Sequence, residues 1–317
     1  MRIETTRVAA PVLLRHVGAF HTGTADLVRQ ALPLVTAALA RGEPVASALR
    51  PETERALLEA AGRPPGLITL DPPGGPDGLS GQTTASRRAR ELRELAAGAG
   101  AVTVVSEHDS RFDGADGRFW TELDAATTVA LAELPVDMTC FFPEVPLHLE
   151  VLAGAVRNHP LLLAGDGARP NPYFLGPREV LLGRPAPAPL LLGPPDVRVR
   201  FDAWQLHEVR ASVEHAVAVS GFDPSRAEDV VLAVNEVATN AVEHGAQEAD
   251  LYIWNRPEGL VCEVHDRGAL EDPLPGLCPP HPGEARGRGI WIARQLCDVL
   301  HVWTDADGTH VRMRAAA

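Results

Sequence analysis

The sequence runs to 317 residues, 45% hydrophobic and 22% charged, enough for two ordinary domains with their cores. Its formal net charge of -13 argues against broad binding to a phosphate backbone, which needs clustered cations, so no direct nucleic-acid contact is expected. Lysine is absent throughout, which excludes a phosphate-loop lysine, a Schiff base and the strand lysine of protein kinases. Any phosphate contact must come from arginine, histidine, backbone amides or a metal.

No run of 18 apolar residues occurs, and the N-terminus carries charges and Pro11 where a signal peptide keeps an unbroken apolar stretch. A cytoplasmic location with no membrane contact is the expectation. Cys140, Cys262, Cys278 and Cys297 form no C-x-x-C pair, so the spacing suggests neither a zinc cluster nor a disulfide framework. Buried free thiols are expected instead.

Taken in chain order, residues 25–43 show apolar positions at helical spacing, with Pro33 inside the stretch and Pro44 just beyond it. "GLITL" (66–70) predicts a short buried strand and "DPPGGPDGLSG" (71–81) a long internal loop. A polar helix over 85–100, a strand "AVTVVSE" over 101–107, a helix over 116–134, a strand "VDMTCFF" over 136–142 and a helix over 148–160 follow. Strands alternating with helices predict an α/β layer with a mostly parallel sheet.

The stretch "GRPAPAPLLLGPPD", Gly183–Asp196, holds five prolines and reads as an extended connector. It divides the chain into residues 1–182, a linker 183–196 and residues 197–317. Beyond it come a strand (197–203), two helices (205–221 and 225–245), a hairpin turning at "NRPEG", a helix passing into a strand (287–305) and a last strand (308–315). These predict an α+β sandwich, with helices on one face of a mainly antiparallel sheet.

Three segments of this second half carry chemistry. In "AVNEVATNAVEHG" (233–245), Glu236, Asn240 and His244 recur every fourth residue and so share one slanting row of a helix, flanked by Val234, Val237, Ala238, Ala241 and Val242. The row is either a solvated face or the wall of a cleft. In a cleft, a carboxylate can activate a nucleophile, an amide oxygen can hold a hard cation and an imidazole can touch a phosphate. In "VCEVHDRG" a strand ends at Asp266 with Gly268 two positions on, a carboxylate placed to accept from an exocyclic amine such as that of adenine. In "EARGRGIWIARQLCD", Gly287 and Gly289 flank Arg288 at a helix start, where free N–H groups and the positive end of the dipole suit a polyphosphate, with Arg286 and Arg288 able to add charge-assisted contacts.

In this order and spacing the segments resemble the nucleotide-binding boxes of the GHKL ATPases, the superfamily of gyrase, Hsp90, histidine kinases and anti-sigma factor serine kinases, over roughly residues 197–317. "NEVATNAVEHG" resembles the N-box, "DRG" the first glycine box and "GRGIW" the second in its anti-sigma form. The resemblance implies a Bergerat-type α+β fold, ATP and Mg2+ as cofactors, Glu236 as general base, Asn240 as magnesium ligand and His244 beside the phosphates. It further implies Asp266 and Gly268 at adenine, Gly287 and Gly289 in a lid over the phosphates, and Thr309 in "GTHVRM" holding adenine through water. One departure is Leu270, where the fuller D-x-G-x-G pattern has its second glycine.

A histidine kinase needs a phosphoacceptor histidine on an upstream two-helix hairpin. His207 lies only 33 positions before Asn240, within the first helix of this domain, and reads as a surface or core histidine. Gyrase and Hsp90 relatives carry long transducer domains after the ATPase, whereas this sequence ends at Ala317, so a compact anti-sigma-type kinase is the expectation. Such relatives sequester a sigma factor and phosphorylate a serine of an antagonist protein. The alternatives are a non-catalytic ATP-binding regulatory module and a histidine-kinase-related ATPase. Dimers are common among anti-sigma relatives, so a homodimer is compatible.

Over roughly residues 8–180, "RGEPV" and "HLEVLAGAVRNHP" resemble the MEDS-type sensory domain, a RecA-like α/β fold without a working phosphate loop. The resemblance implies sensing of a small organic ligand. Glu107 and His108 follow the strand "AVTVV", where ligands gather beyond strand C-termini of parallel sheets, and Trp120 and Glu122 lie on the next helix. These four form the candidate sensory pocket; the plainer reading of them is loop and packing residues.

Overall fold

The computed structural model describes residues 13–71, 80–114, 116–145, 148–165, 167–244, 247–270, 272–280 and 288–317. The loop expected over 71–81 lies almost wholly outside them, as do Arg286 and Gly287. By its internal contacts the chain forms two compact units. The first gathers Met1–Pro72, Arg88–Ser110 and Ala130–Phe174, and the second Pro73–Arg87, Arg111–Val129 and Leu175–Ala317.

The first unit is built on β1 (Arg15–His21), α1 (Thr24–Ala40), β2 (Val45–Ala48), α2 (Pro51–Ala61), β3 (Leu67–Thr69), the later turns of α3 (Gly81–Ala99) and β4 (Val102–Glu107). After α4 (Arg118–Ala130), which packs almost entirely with the second unit, it continues with β5 (Val136–Pro143), α5 (Leu149–Asn158), β6 (Leu161–Ala164) and β7 (Gly167–Pro170). The sheet order is β3-β2-β4-β5-β1-β6-β7, parallel throughout except for the terminal β6–β7 pair. The parallel sheet expected from the sequence is therefore present, with β1, β2, α2, β6 and β7 added to the elements read from periodicity. Helix α1 runs through Pro33, because Leu27, Ala31, Val35 and Ala38 bury one continuous stripe against Ala19, Val45, Val105 and Phe141. Packing of an apolar face outweighs one lost backbone bond. Helix α2 starts with Pro51 at its first turn and stops at Gly62, which takes the left-handed conformation at φ 75.

In the second unit, α6 (Pro177–Gly183) takes in the first residue of the expected proline-rich connector, and residues 184–196 form neither helix nor strand. The connector is nonetheless held: the carbonyls of Leu190, Leu192 and Gly193 accept from Arg312, Arg256 and the Trp254 indole at 2.7, 3.1 and 3.1 Å. Then come β8 (Val197–Phe201), α7 (Leu206–Val219), α8 (Pro224–His244), β9 (Ala249–Arg256), β10 (Gly259–Asp266), α9 (Gly289–Leu296), β11 (Val299–Asp305) and β12 (Gly308–Ala316). The five strands form an antiparallel sheet in the order β11-β12-β10-β9-β8. Helices α7, α8 and α9 close one apolar core with it, in which Val213, Val234, Val237, Ala238, Ile253, Leu260, Val264 and Leu300 are buried. The α+β sandwich expected after the connector is what forms.

Cys140, Cys262 and Cys297 are buried free thiols, but Cys278 is exposed: in the irregular stretch between β10 and α9 it is Leu274 and Leu277 that turn inward. His207 is a surface residue whose Nδ1 bonds the Trp204 carbonyl at 3.0 Å. Among the described residues no helix is long and apolar enough to cross a membrane.

Candidate functional site

The site begins with α8. Asp223 caps it, its Oδ1 accepting the N–H groups of Ser225 and Arg226 at 3.0 and 3.1 Å, and Pro224 opens its first turn. Val230, Val231, Ala233, Val234, Val237, Ala238 and Ala241 form the buried face. Glu236 and Asn240 lie at its margin, half-buried, whereas the His244 side chain, in the last turn, is 59% exposed. The row of three thus grades from a sheltered carboxylate to a solvated imidazole.

Helix α9 starts directly on this row. A Cβ at Gly289 would lie 2.4 Å from Asn240 Nδ2 and 3.0 Å from the Glu236 carbonyl oxygen, so only glycine lets the α9 N-terminus approach α8 this closely. The glycine segment before α9 is therefore joined to the polar row of α8 by a contact that neither segment predicts by itself. The N–H groups of the first turn of α9 have no partner inside their own helix and, with the dipole, favour an anion. Arg288, at the cap position, is exposed.

The other wall is the end of β10. Asp266 Oδ1 accepts the Gly268 N–H at 2.6 Å, and the Gly268 carbonyl accepts the Thr309 hydroxyl at 2.9 Å. Thr309 is also the register partner of Asp266 across β10 and β12. Burial pushes the Asp266 carboxyl above the ordinary aspartate range, opposed by the Gly268 N–H and by nearby His265 and His310. Gly308, at φ 139, closes the β11–β12 turn where a Cβ would meet the Asp266 carbonyl oxygen at 2.0 Å. The three residues expected to hold adenine are thus one hydrogen-bonded group. Leu270, at the position of the missing glycine, packs against the hydrophobic core. A cavity of about 670 Å3 lined by His265, Gly268, Leu270 and Asp305 borders this end, and neither Asp266 nor any α8 residue lines it.

Behind the strand end lies a cluster that sequence reasoning missed. Glu263 accepts from Arg312 Nε at 2.7 Å and pairs with His310 Nδ1 at 2.9 Å, while His310 stacks between His265 and Trp303 at ring-centroid distances of 4.1 and 4.8 Å. Burial lowers the basicity of His310, but the Glu263 carboxylate and Asp305 outweigh it and the net shift is upward. The available signal was cross-strand pairing: Glu263 faces Arg312 and His265 faces His310 in register.

The segment after the Asp-x-Gly turn is also anchored. Gln82 Nε2 donates to the Pro273 carbonyl at 3.2 Å, Arg294 Nε donates to the Pro275 carbonyl at 2.9 Å, and another Arg294 nitrogen meets Gln82 Oε1. Glu122 accepts the N–H groups of Gly81 and Gln82 at 3.0 and 3.4 Å, capping α3. Burial carries the Glu122 carboxyl up to about 6 and the Arg294 guanidinium down to about 10. The Thr83 hydroxyl satisfies both backbone groups of Leu300 on the edge strand β11, each at 3.0 Å.

Each of the four residues expected in a sensory pocket has structural partners. Glu107, buried at the end of β4, accepts from the Arg50 backbone N–H at 3.0 Å and from Arg50 Nε at 2.7 Å. The His108 backbone N–H reaches the Phe141 carbonyl at 2.8 Å and its ring lies 6.1 Å from that of Phe142. Trp120 Nε1 donates to Asp113 at 3.0 Å, and Glu122 caps α3.

Residues 199–315 match the family model described as a histidine kinase-like ATPase domain. No curated protein matches the chain. The matched span begins inside β8, ends inside β12 and takes in α7, α8, the β9–β10 hairpin and α9, so it coincides with the antiparallel sandwich. It supports an ATP-binding, regulatory or kinase-related role for this part of the protein; domains of this kind bind ATP, generally with magnesium.

Proposed function

We propose that residues 197–317 bind ATP with Mg2+ between α8 and the end of β10, and that the protein is a signalling regulator of the anti-sigma factor serine kinase type. In this reading Asp266 accepts the exocyclic amine of adenine, Gly268 and Thr309 shape the base pocket, and Asn240 supplies an amide oxygen to the magnesium. The α9 N-terminus with Gly287, Gly289, Arg286 and Arg288 receives the phosphates, and His244 lies at their outer margin. Glu236 is the base that takes the proton of the attacking hydroxyl; a bound magnesium ion would supply positive charge to the transferring phosphoryl group. The first unit, with its parallel sheet, acts as a MEDS-like, RecA-like sensory domain for a small ligand. The partners are a sigma factor and a serine-bearing antagonist protein.

The observation that carries this reading is the seating of Gly289 on Asn240, which joins the cation row and the phosphate-facing helix end. Incubating the protein with γ-labelled ATP, magnesium and candidate antagonist domains tests it. Glu236→Gln is expected to lower transfer about 100- to 10,000-fold while leaving ATP affinity within a few-fold. Equal transfer by the variant and the native protein overturns the role of Glu236. A second reading, a module that uses ATP only as a conformational ligand, is favoured by Leu270 being committed to the core; binding without transfer to any antagonist supports it.

A further inference from the structure

Within the first unit, three metal-ligating side chains that the proposed ATP chemistry does not use meet in the interior. His16 on β1, Cys140 on β5 and His159, which caps the C-terminus of α5, are 1%, 4% and 0% exposed, and one ligand atom from each lies within 4.8 Å of the others. His16 Nε2 and Cys140 Sγ are 3.4 Å apart, and the two imidazole rings lie 4.2 Å apart between centroids. The sheet order brings them together: β1 pairs with β5 on one side, setting Gly18 beside Cys140, and on the other with β6, which starts two residues after His159.

The protonation pattern can be read from partners alone. His159 Nδ1 lies 2.7 Å from the Ala155 carbonyl, which can only accept, so the proton is on Nδ1 and the Nε2 lone pair is left bare. That Nε2 is fully buried and has no hydrogen-bond partner. A histidine whose N–H is fixed by a backbone carbonyl while its other nitrogen is buried and unpaired is the arrangement that orients a metal ligand. Gly18 makes the room: a Cβ there would lie 3.0 Å from His159 Cγ.

We propose that His16, Cys140 and His159 bind one divalent transition-metal ion of the zinc class, with the remaining tetrahedral position taken by an oxygen donor or a small exogenous ligand. Nitrogen and sulfur ligands at about 2.0 to 2.3 Å from a tetrahedral ion stand roughly 3.5 Å apart, close to the His16–Cys140 separation. Binding replaces the thiol proton by the metal, so one proton leaves per ion while both imidazoles stay neutral. The spacing of the cysteines could not reveal this site, because its ligands come from three separated elements.

The test uses the full chain, stripped with a chelator and titrated with cobalt(II), then zinc. One equivalent is expected to give a sulfur-to-cobalt charge-transfer band with intense tetrahedral d–d bands, bleached by zinc. Cys140→Ser loses the charge-transfer band, and His159→Ala weakens binding more than about 100-fold. Cys278→Ser, at the exposed thiol, leaves both unchanged. X-ray absorption of the zinc-loaded native protein, which needs no variant to fold, is expected to show one sulfur and two imidazole nitrogens. A spectrum without thiolate bands, an absorption shell lacking sulfur, or binding that survives Cys140→Ser or depends on Cys278 overturns the proposal.

Discussion

The two ends of the candidate nucleotide site are built differently. At the base end, Asp266, Gly268 and Thr309 are tied by bonds of 2.6 and 2.9 Å across two strands in fixed register, and Gly308 has no space for a side chain. At the phosphate end, Glu236 and Asn240 are half-buried on a helix flank, His244 is solvated, and the contact that organises them is the van der Waals seating of Gly289. A recognition group gains from being fixed before the ligand arrives, since less ordering is needed on binding. A cation and phosphate site must admit and release charged ligands, and its side chains are correspondingly less committed. The comparison implies that changes at the base end act on affinity, and changes at the phosphate end act on magnesium dependence and turnover.

The largest effect on ATP affinity is expected from Asp266→Asn. It turns an acceptor into a group that presents a donor to the adenine amine and should weaken ATP binding about 100-fold or more, measured calorimetrically. A change within threefold would remove Asp266 from base recognition. The same variant sharpens the pH behaviour. Because burial raises the Asp266 pKa, the native carboxyl contributes stability that is present below its unfolded value of 3.8 and is lost as pH rises through the raised value. ATP binding runs the other way and strengthens over that window as the acceptor ionises; Asp266→Asn should flatten both slopes in parallel unfolding and binding titrations.

Next in size is Gly289→Ala. Its methyl would press on Asn240 and the Glu236 carbonyl, so overpacking of about 1 to 3 kcal/mol is expected in denaturant unfolding, together with a higher magnesium requirement. Unchanged stability and unchanged magnesium dependence would show that α9 does not define the cation row. His244→Ala should matter least. With 59% of its side chain in solvent, stability should move by no more than about 0.5 kcal/mol and ATP affinity by only a few-fold. A loss as large as that of Asp266→Asn would invert the comparison between the ends.

Much of the second unit was legible locally. The helical period around Glu236, the alternation of "VCEVHD" and the glycines before "IWIARQL" each report on a few consecutive residues, and each became the expected element. The Asp-x-Gly turn was visible too, since Asp266 and Gly268 are two residues apart. In the first unit β1 and β2 are not legible locally: β1 mixes Arg15, His16, Gly18 and His21 with its apolar residues, and β2 is only four residues long.

By itself the sequence determined the polar row of α8, the Asp-x-Gly turn and the absence of any lysine chemistry, because these depend on residue type and on spacing within one turn or one strand. Only the tertiary structure decided that Gly289 meets Asn240, that Glu263 holds Arg312 and His310, and that Cys140 lies beside His16 and His159. Such contacts join residues tens to more than a hundred positions apart, and strand order and register, rather than local periodicity, choose which of them touch.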